Sequence, residues 1–221
     1  MAAINWSEIS TVLLDMDGTI LDLHFDNQFW LEHLPLRYSE KMSISIEAAK
    51  EKLKADYLAV VGTIEWYCLD YWAEQTQLPI RELKREIQHL IQLRSDARNF
   101  LLALKASGKD VVLVTNAHPD SLSLKIERTQ LDQYFDSLYS THEFGVTKES
   151  QLLWLRLQTK HGFDNNKTLF IDDSVEILKS AQQYGIKHLL AVANPDSKKV
   201  ANDISEFPSV TDFNTLASQL N

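Results

Sequence analysis

Three short apolar runs, each ending in oxygen-bearing side chains, constrain this chain more than any other feature. They are Thr11–Asp15 (TVLLD), Val111–Thr115 (VVLVT) and Thr168–Ile171 (TLFI), the last running into Asp172. Each suits a strand buried on both faces. His188–Val192 (HLLAV) is a fourth run and Ser137–Ser140 a weaker fifth. Helical stretches lie between them: Ser95–Ala106, closed by Gly108, and Ser174–Tyr184, closed by Gly185. Buried strands alternating with helices imply an α/β fold, a parallel sheet core with helices on both faces. Ligands bind such sheets beyond the carboxyl ends of the strands. Asp15, Thr115 with Asn116, and Asp172 with Asp173 therefore mark one expected site.

From about Asp26 to Leu93 the strand pattern stops. Ile46–Val61, Ile64–Gln75 and Ile80–Leu93 carry helical spacing, with Pro79 at the start of the last. The expected organisation is a core built from residues 1–22 and 95–221, with an inserted all-helical module over 23–94; a chain of 221 residues is long enough for both. There are no internal repeats, low-complexity tracts or Pro/Gly/Ser-rich linkers. Asp26, Asn27 and Trp30 follow the first run closely and belong near the cleft mouth as specificity candidates; N-capping of the insert's first helix explains Asp26 or Asn27 equally well. Trp66, Tyr67, Tyr71 and Trp72 fall on one predicted helix. They could stack on a flat base, but packing the helices together is the favoured reading. His24 and His118 read as surface or hydrogen-bonding residues, and Cys68 as a small buried hydrophobe.

The chemistry concentrates in VLLDMDGTI, Val12–Ile20. Two carboxylates one residue apart repel unless one is protonated or a cation joins them. Magnesium takes oxygen ligands, commonly one or two carboxylates with phosphate and water. Asp172 and Asp173 would complete that oxygen cluster. The formal net charge of -9 argues against a nucleic-acid partner. An anionic substrate on so acidic a protein needs a local metal ion, a lysine or backbone amides.

VLLDMDGTI, VVLVTN, Lys148 and TLFIDDS resemble, in order and spacing, the four motifs of the haloacid-dehalogenase-like hydrolases, over nearly the whole chain. The resemblance implies a Rossmann-like core with an all-helical cap over the site. It implies Asp15 as the nucleophile that forms an aspartyl-phosphate, and Asp17 as the acid that protonates the leaving oxygen and then activates water. Thr115 and Asn116 match the second motif, Thr115 holding a phosphoryl oxygen, and Lys148 offsets charge. Mg2+ would be held by Asp15, the backbone of Asp17 and Asp172, with Asp173 in support. A lysine before Glu149 could instead be a helix-start charge, and Asp173 could instead cap a helix. Members that cleave carbon–halogen bonds lack an aspartate at the position of Asp17, so the resemblance favours phosphoryl transfer.

A cap selects small diffusible substrates. LLDMDGTILDLHFDNQFW, WYCLDYW, VTNAHP, STHEFGVTKE, TLFIDDS and ANPDS are similar to the bacterial GMP/IMP nucleotidases of that superfamily. The substrate implied is a small phosphomonoester, a purine nucleoside monophosphate, with Asp26, Asn27, Trp30 and Trp66 as candidate contacts. The alternatives are a sugar-phosphate phosphatase or phosphomutase, and a catalytically silent binding protein on the same fold. A lone cysteine, Met1–Ser10 without signal-peptide character, and no apolar run of bilayer length point to the cytoplasm and away from membranes.

Overall fold

The structure is a computed structural model that describes residues 4–220, so Met1–Ala3 of the N-terminal stretch lie outside the described residues. Six strands pair in parallel in the order β3-β2-β1-β4-β5-β6. They are β1 (Thr11–Leu14), β2 (Asp110–Thr115), β3 (Ser137–Ser140), β4 (Thr168–Asp172), β5 (His188–Val192) and β6 (Ser209–Val210). The five runs read from the sequence are all present. Only β6 was not foreseen, because two residues carry no periodicity.

Alternation along the strands sends successive side chains to opposite faces. Val12, Leu14, Val111, Leu113, Leu169 and Ile171 enter one apolar cluster. Leu13, Val112, Val114 and Phe170 enter another. The first is covered by α7 (Ala97–Ala106), through Phe100, Leu101 and Leu104, and by α11 (Asn214–Ala217), through Leu216. The second is covered by α9 (Gln151–His161), through Trp154 and Leu157, and by α10 (Val175–Tyr184), through Ile177, Leu178 and Ala181. Helices thus cover both faces.

Between β1 and α7 the regular elements among the described residues are all helices. The order is α1 (His24–Gln28), a π-helical turn (Phe29–His33), α2 (Leu34–Met42), α3 (Ile46–Val60), α4 (Ile64–Tyr67), α5 (Leu69–Thr76) and α6 (Ile80–Glu86). Phe29, Leu34, Leu53, Tyr57, Trp72 and Leu83 form a cluster drawn from this segment alone. The chain leaves and re-enters the core as a hydrogen-bonded pair of connections. Leu21 bridges Leu93 in antiparallel sense, Asp22 N–H donates to Gln92 at 3.1 Å, and Arg94 N–H donates to Ile20 at 3.0 Å. No helix among the described residues is long and apolar enough to cross a membrane.

Three sequence expectations need correction. The helix expected over Ile64–Gln75 is broken at Cys68, whose backbone is extended (φ -85, ψ 113). The Trp72 indole N–H donates to the Trp66 carbonyl at 2.9 Å, a carbonyl that a continuous helix would have bonded to its own backbone. Cys68 sits at that break half-buried, not buried. The helix expected over Ile80–Leu93 stops at Glu86, followed by a short 3₁₀ turn at Gln88–Leu90.

Candidate active site

The sheet order reverses between β1 and β4, the crevice where α/β sheets bind ligands. Asp15 leaves the end of β1 and Asp172 ends β4, so the crevice brings the two together. Both are buried. The Lys148 ammonium, itself 1% exposed, lies 2.5 Å from Asp15 Oδ1 and 2.7 Å from Asp172 Oδ2. Asp172 Oδ1 accepts from the Ser174 backbone N–H at 2.8 Å. Burial pushes Asp15 up to about 6; Lys148 works against the rise and Asp172 with it. Burial, then the neighbouring Asp172 and Asp15, lifts Asp173 well above the usual carboxylate range. The Lys148 ammonium is held above its ordinary value, burial being outweighed by Asp15 and Asp172. The alternative of a helix-start surface charge for Lys148 does not fit so buried a side chain.

The donor set suits a hard divalent cation. Asp15, Asp172 and Asp173 each place a carboxylate oxygen within 4.8 Å of the others. Asp15 Oδ2 is buried without a hydrogen-bond partner among the described residues. Three carboxylates against one ammonium leave two negative charges when all are ionised, and an orphaned buried anionic oxygen is costly unless a cation meets it. The carboxylate of Asp17 lies outside this group, which leaves its backbone carbonyl as the atom it could contribute.

Gly18 makes the loop possible. Its φ is +89, and a Cβ there would sit 2.6 Å from Asp173 Oδ2. Its N–H donates to Leu21 at 2.9 Å, closing the turn that follows Asp17. Gly18→Ala is expected to destabilise the protein by about 1–3 kcal/mol, from backbone strain plus the clash with Asp173. A melting temperature unchanged within about a degree would contradict this geometry.

The carboxylate of Asp17 lies outside that group of three carboxylates, 2.6 Å from the Lys125 ammonium. Burial raises it to about 7, against the pull of Lys125 and with the push of Asp26 and Asp15. Lys125 comes from α8 (Pro119–Thr129), whose buried face is Ser121, Leu124 and Lys125. Its ammonium also lies 2.7 Å from Asp26 Oδ2, and Lys84 lies 2.9 Å from Asp26 Oδ1. Burial works against ionising Asp26, yet Lys125 and Lys84 overcome it and hold the group well below the usual carboxylate range. Asp26 is an interior residue of α1, not its N-cap.

The Thr115 hydroxyl accepts from Ala117 N–H at 3.0 Å, which orients it at the end of β2. The Asn116 amide is engaged in holding its neighbours. Its oxygen accepts from Lys148 N–H at 2.9 Å and from the Thr141 hydroxyl at 3.0 Å, and its NH₂ donates to Glu149 at 3.1 Å. The Tyr67 hydroxyl, from the helical segment, donates to the same Glu149 at 3.0 Å. His118 caps α8 through Nδ1, which accepts from Asp120 N–H at 3.2 Å. Asn27 donates to Asp196 at 2.7 Å and His24 Nδ1 lies 3.5 Å from the same carboxylate, so both tie α1 to the core.

A cavity of ≈350 Å³ opens above these groups. Asp15, Asp17, Thr115, Lys148, Asp172 and Asp173 line it, with Asp26 and Asn27. Trp30, Tyr57, Trp66 and Tyr67 wall its other side. Trp30 and Trp66 stack with ring centres 6.4 Å apart. Trp72 is fully buried in the packing between helices, and Tyr71 packs edge-on against it. The packing reading therefore holds for that pair, while Trp66 both packs and faces the cavity. Lys84, Lys125 and Glu149 were not foreseen as site residues, and Tyr67 only as one of four aromatics that could stack on a base. The two lysines did leave a signal, since each occupies a buried-stripe position, Ile80–Leu83–Lys84 and Ser121–Leu124–Lys125.

Residues 9–185 match the family model described as haloacid dehalogenase-like hydrolase. The chain is 46% identical over 217 residues to the GMP/IMP nucleotidase YrfG of Escherichia coli (strain K12), covering 98% of each. Its fold is similar to that of a HAD phosphatase from Thermococcus onnurineus, with a TM-score of 0.79 at 20% identity over 96% of this chain and 98% of the other. It is also similar to a HAD hydrolase, YfnB of Bacillus subtilis, whose structure was solved bound to magnesium. There the TM-score is 0.62 at 20% identity, over 96% of this chain and 99% of that one.

Proposed function

The chain belongs to the haloacid dehalogenase-like hydrolases, and from that premise we propose that it is a magnesium-dependent 5'-nucleotidase that removes phosphate from GMP and IMP. The observation that carries the phosphatase reading is the pairing of Asp15, with one buried oxygen unpartnered, and Asp17 under a single aromatic-walled cavity. The substrate follows from the 46% identity to a GMP/IMP nucleotidase over almost the whole chain.

Magnesium, held by carboxylates of Asp15, Asp172 and Asp173 with the Asp17 backbone carbonyl, would neutralise charge on the transferring phosphoryl group. Asp15 attacks phosphorus and becomes an acyl phosphate as the ester P–O bond breaks. Asp17 gives its proton to the departing nucleoside oxygen; a group near 7 is poised for such a transfer. Asp17 then takes a proton from the water that attacks phosphorus, which frees Asp15 and releases phosphate. Lys148 holds Asp15 in place and offsets charge on the phosphoryl oxygens, with the Thr115 hydroxyl as a further donor. Asn116 and Glu149 position the loop that carries Lys148. Residues 23–94 act as the cap, excluding water and contributing Trp30 and Trp66 to the substrate side, while Asp26 and Asn27, which also line the cavity, are engaged by Lys84, Lys125 and Asp196. The reading extends to a cytoplasmic enzyme, in keeping with a single cysteine.

Trp66→Ala is expected to raise KM for GMP by about 5- to 100-fold, the usual range for losing one base–aromatic stack. KM for a substrate without a ring, such as acetyl phosphate, should stay within about twofold. Equal effects on both would remove Trp66 from base recognition.

The direct test of the proposal is phosphate release from GMP, IMP, AMP, pyrimidine nucleotides and sugar phosphates, with magnesium and with chelator. Magnesium-dependent release strongest on GMP and IMP is expected. A sugar phosphate as the best substrate would discard the nucleotidase reading and keep the mechanism. No release from any of them would leave a binding protein.

A further inference from the structure

We propose that Lys125 is a positioning residue for Asp17, aiming the acid–base carboxylate through an ion chain that the cap completes. The chain runs Asp17–Lys125–Asp26–Lys84, with contacts of 2.6, 2.7 and 2.9 Å. Each link comes from a different element. Asp17 lies in the loop after β1, Lys125 in α8 of the core, Asp26 in the first cap helix and Lys84 in the last. The inference rests on Asp17 being the proton donor to the leaving group.

Two features separate this chain from ordinary surface ion pairs. Both lysine side chains are 2% exposed, so their ammonium groups have no solvent to fall back on. Lys125 is also the one side chain that hydrogen-bonds the Asp17 carboxylate among the described residues. Asp17 stands beside Gly18 in a tight turn, where its backbone alone does not fix the direction of its carboxylate. The Lys125 ammonium, set near the Phe25 ring at 5.5 Å, supplies that direction. Lys84 is similarly confined, 4.9 Å from Phe25 and 4.5 Å from Phe29. Asp26 and Lys84 both belong to the helical segment 23–94, so Lys125 is held on both sides where that segment packs against the core.

A merely structural lysine would depress the rate on every substrate alike, whereas a positioning one acts through proton donation. The test is kcat/KM on phenyl phosphate, whose leaving oxygen needs a proton, and on 2,4-dinitrophenyl phosphate, whose leaving group departs as an anion. Lys125→Met is expected to lose about 100-fold on the first and less than about threefold on the second, in line with the worth of general acid catalysis. The double variant Lys125→Met/Asp26→Asn removes one cation and one anion together and keeps the buried charge balance. It should show the same split, and it serves where the single variant does not fold. Equal losses on both esters, or no loss on either, would overturn the inference. Asp17→Asn is measured alongside. If it too loses equally on both esters, the acid–base reading of Asp17 falls; if it splits them and the lysine variants do not, only the role of Lys125 falls.

Discussion

Asp15→Asn is expected to lower phosphate release by on the order of 10⁴-fold or more, because no other group can take over the attack. Its melting temperature should hold or rise. Asp15 is ionised at a cost, since burial and the nearby Asp172 both push its carboxyl up, to about 6. A neutral amide of the same shape removes that cost and keeps an oxygen for Lys148, which retains Asp172 as its ionic partner. An assay of inorganic phosphate on GMP and a thermal melt check both halves. Activity within about tenfold of wild type would end the covalent mechanism. A large fall in melting temperature would mean that Asp15 serves the fold more than the chemistry.

Lys148→Met is expected to fail in the opposite way, losing stability together with activity. The ammonium is the cation between Asp15 and Asp172, both buried. Breaking a buried ion pair from one side costs about 3–5 kcal/mol, which for a chain of this size is roughly 6–20 °C of melting temperature. The loss should depend on pH. A carboxyl whose folded value is raised contributes stability that is lost as pH rises through that value. Asp15 is raised even in the wild type, and without Lys148 it rises further, so the deficit should be larger at pH 8 than at pH 6. Magnesium should restore part of it, since binding to the folded state alone adds stability by mass action. Differential scanning calorimetry at the two pH values, with and without magnesium, reads all of this. A deficit independent of pH would remove the charge argument.

The readable part of the site was the part carried by contiguous residues. TVLLDMDG states a buried strand, two carboxylates and a glycine in one stretch, and the structure places Asp15 and Asp17 at the strand's carboxyl end. Asp172 ends β4 and Asp173 follows it in the same way. Lys148 needed the order of the motifs, because nothing in its own neighbourhood says that its ammonium reaches residues 133 and 24 positions away. Lys84 and Lys125 were harder. Their place in an apolar stripe shows that they are buried, but their shared partner Asp26 is 58 positions from one and 99 from the other. The break at Cys68 escaped for a related reason. Helical spacing around Trp66 is sound, and a single indole-to-carbonyl bond overrides it.

The sequence by itself determined five of the six strands, that helices cover both faces of their sheet, and that acids gather at the carboxyl ends of the strands. These follow from local rules, the length of apolar runs and the helical spacing between them, that act between near neighbours in the chain. Only the tertiary structure decided which charges answer which. An ammonium at the end of four methylenes can pair with any carboxylate within reach, and burial selects the partner by removing water as the alternative. The helical segment 23–94 and the rest of the chain each supply two members of the Asp17–Lys125–Asp26–Lys84 chain, so their packing decided that pairing, and with it the direction in which the Asp17 carboxylate points.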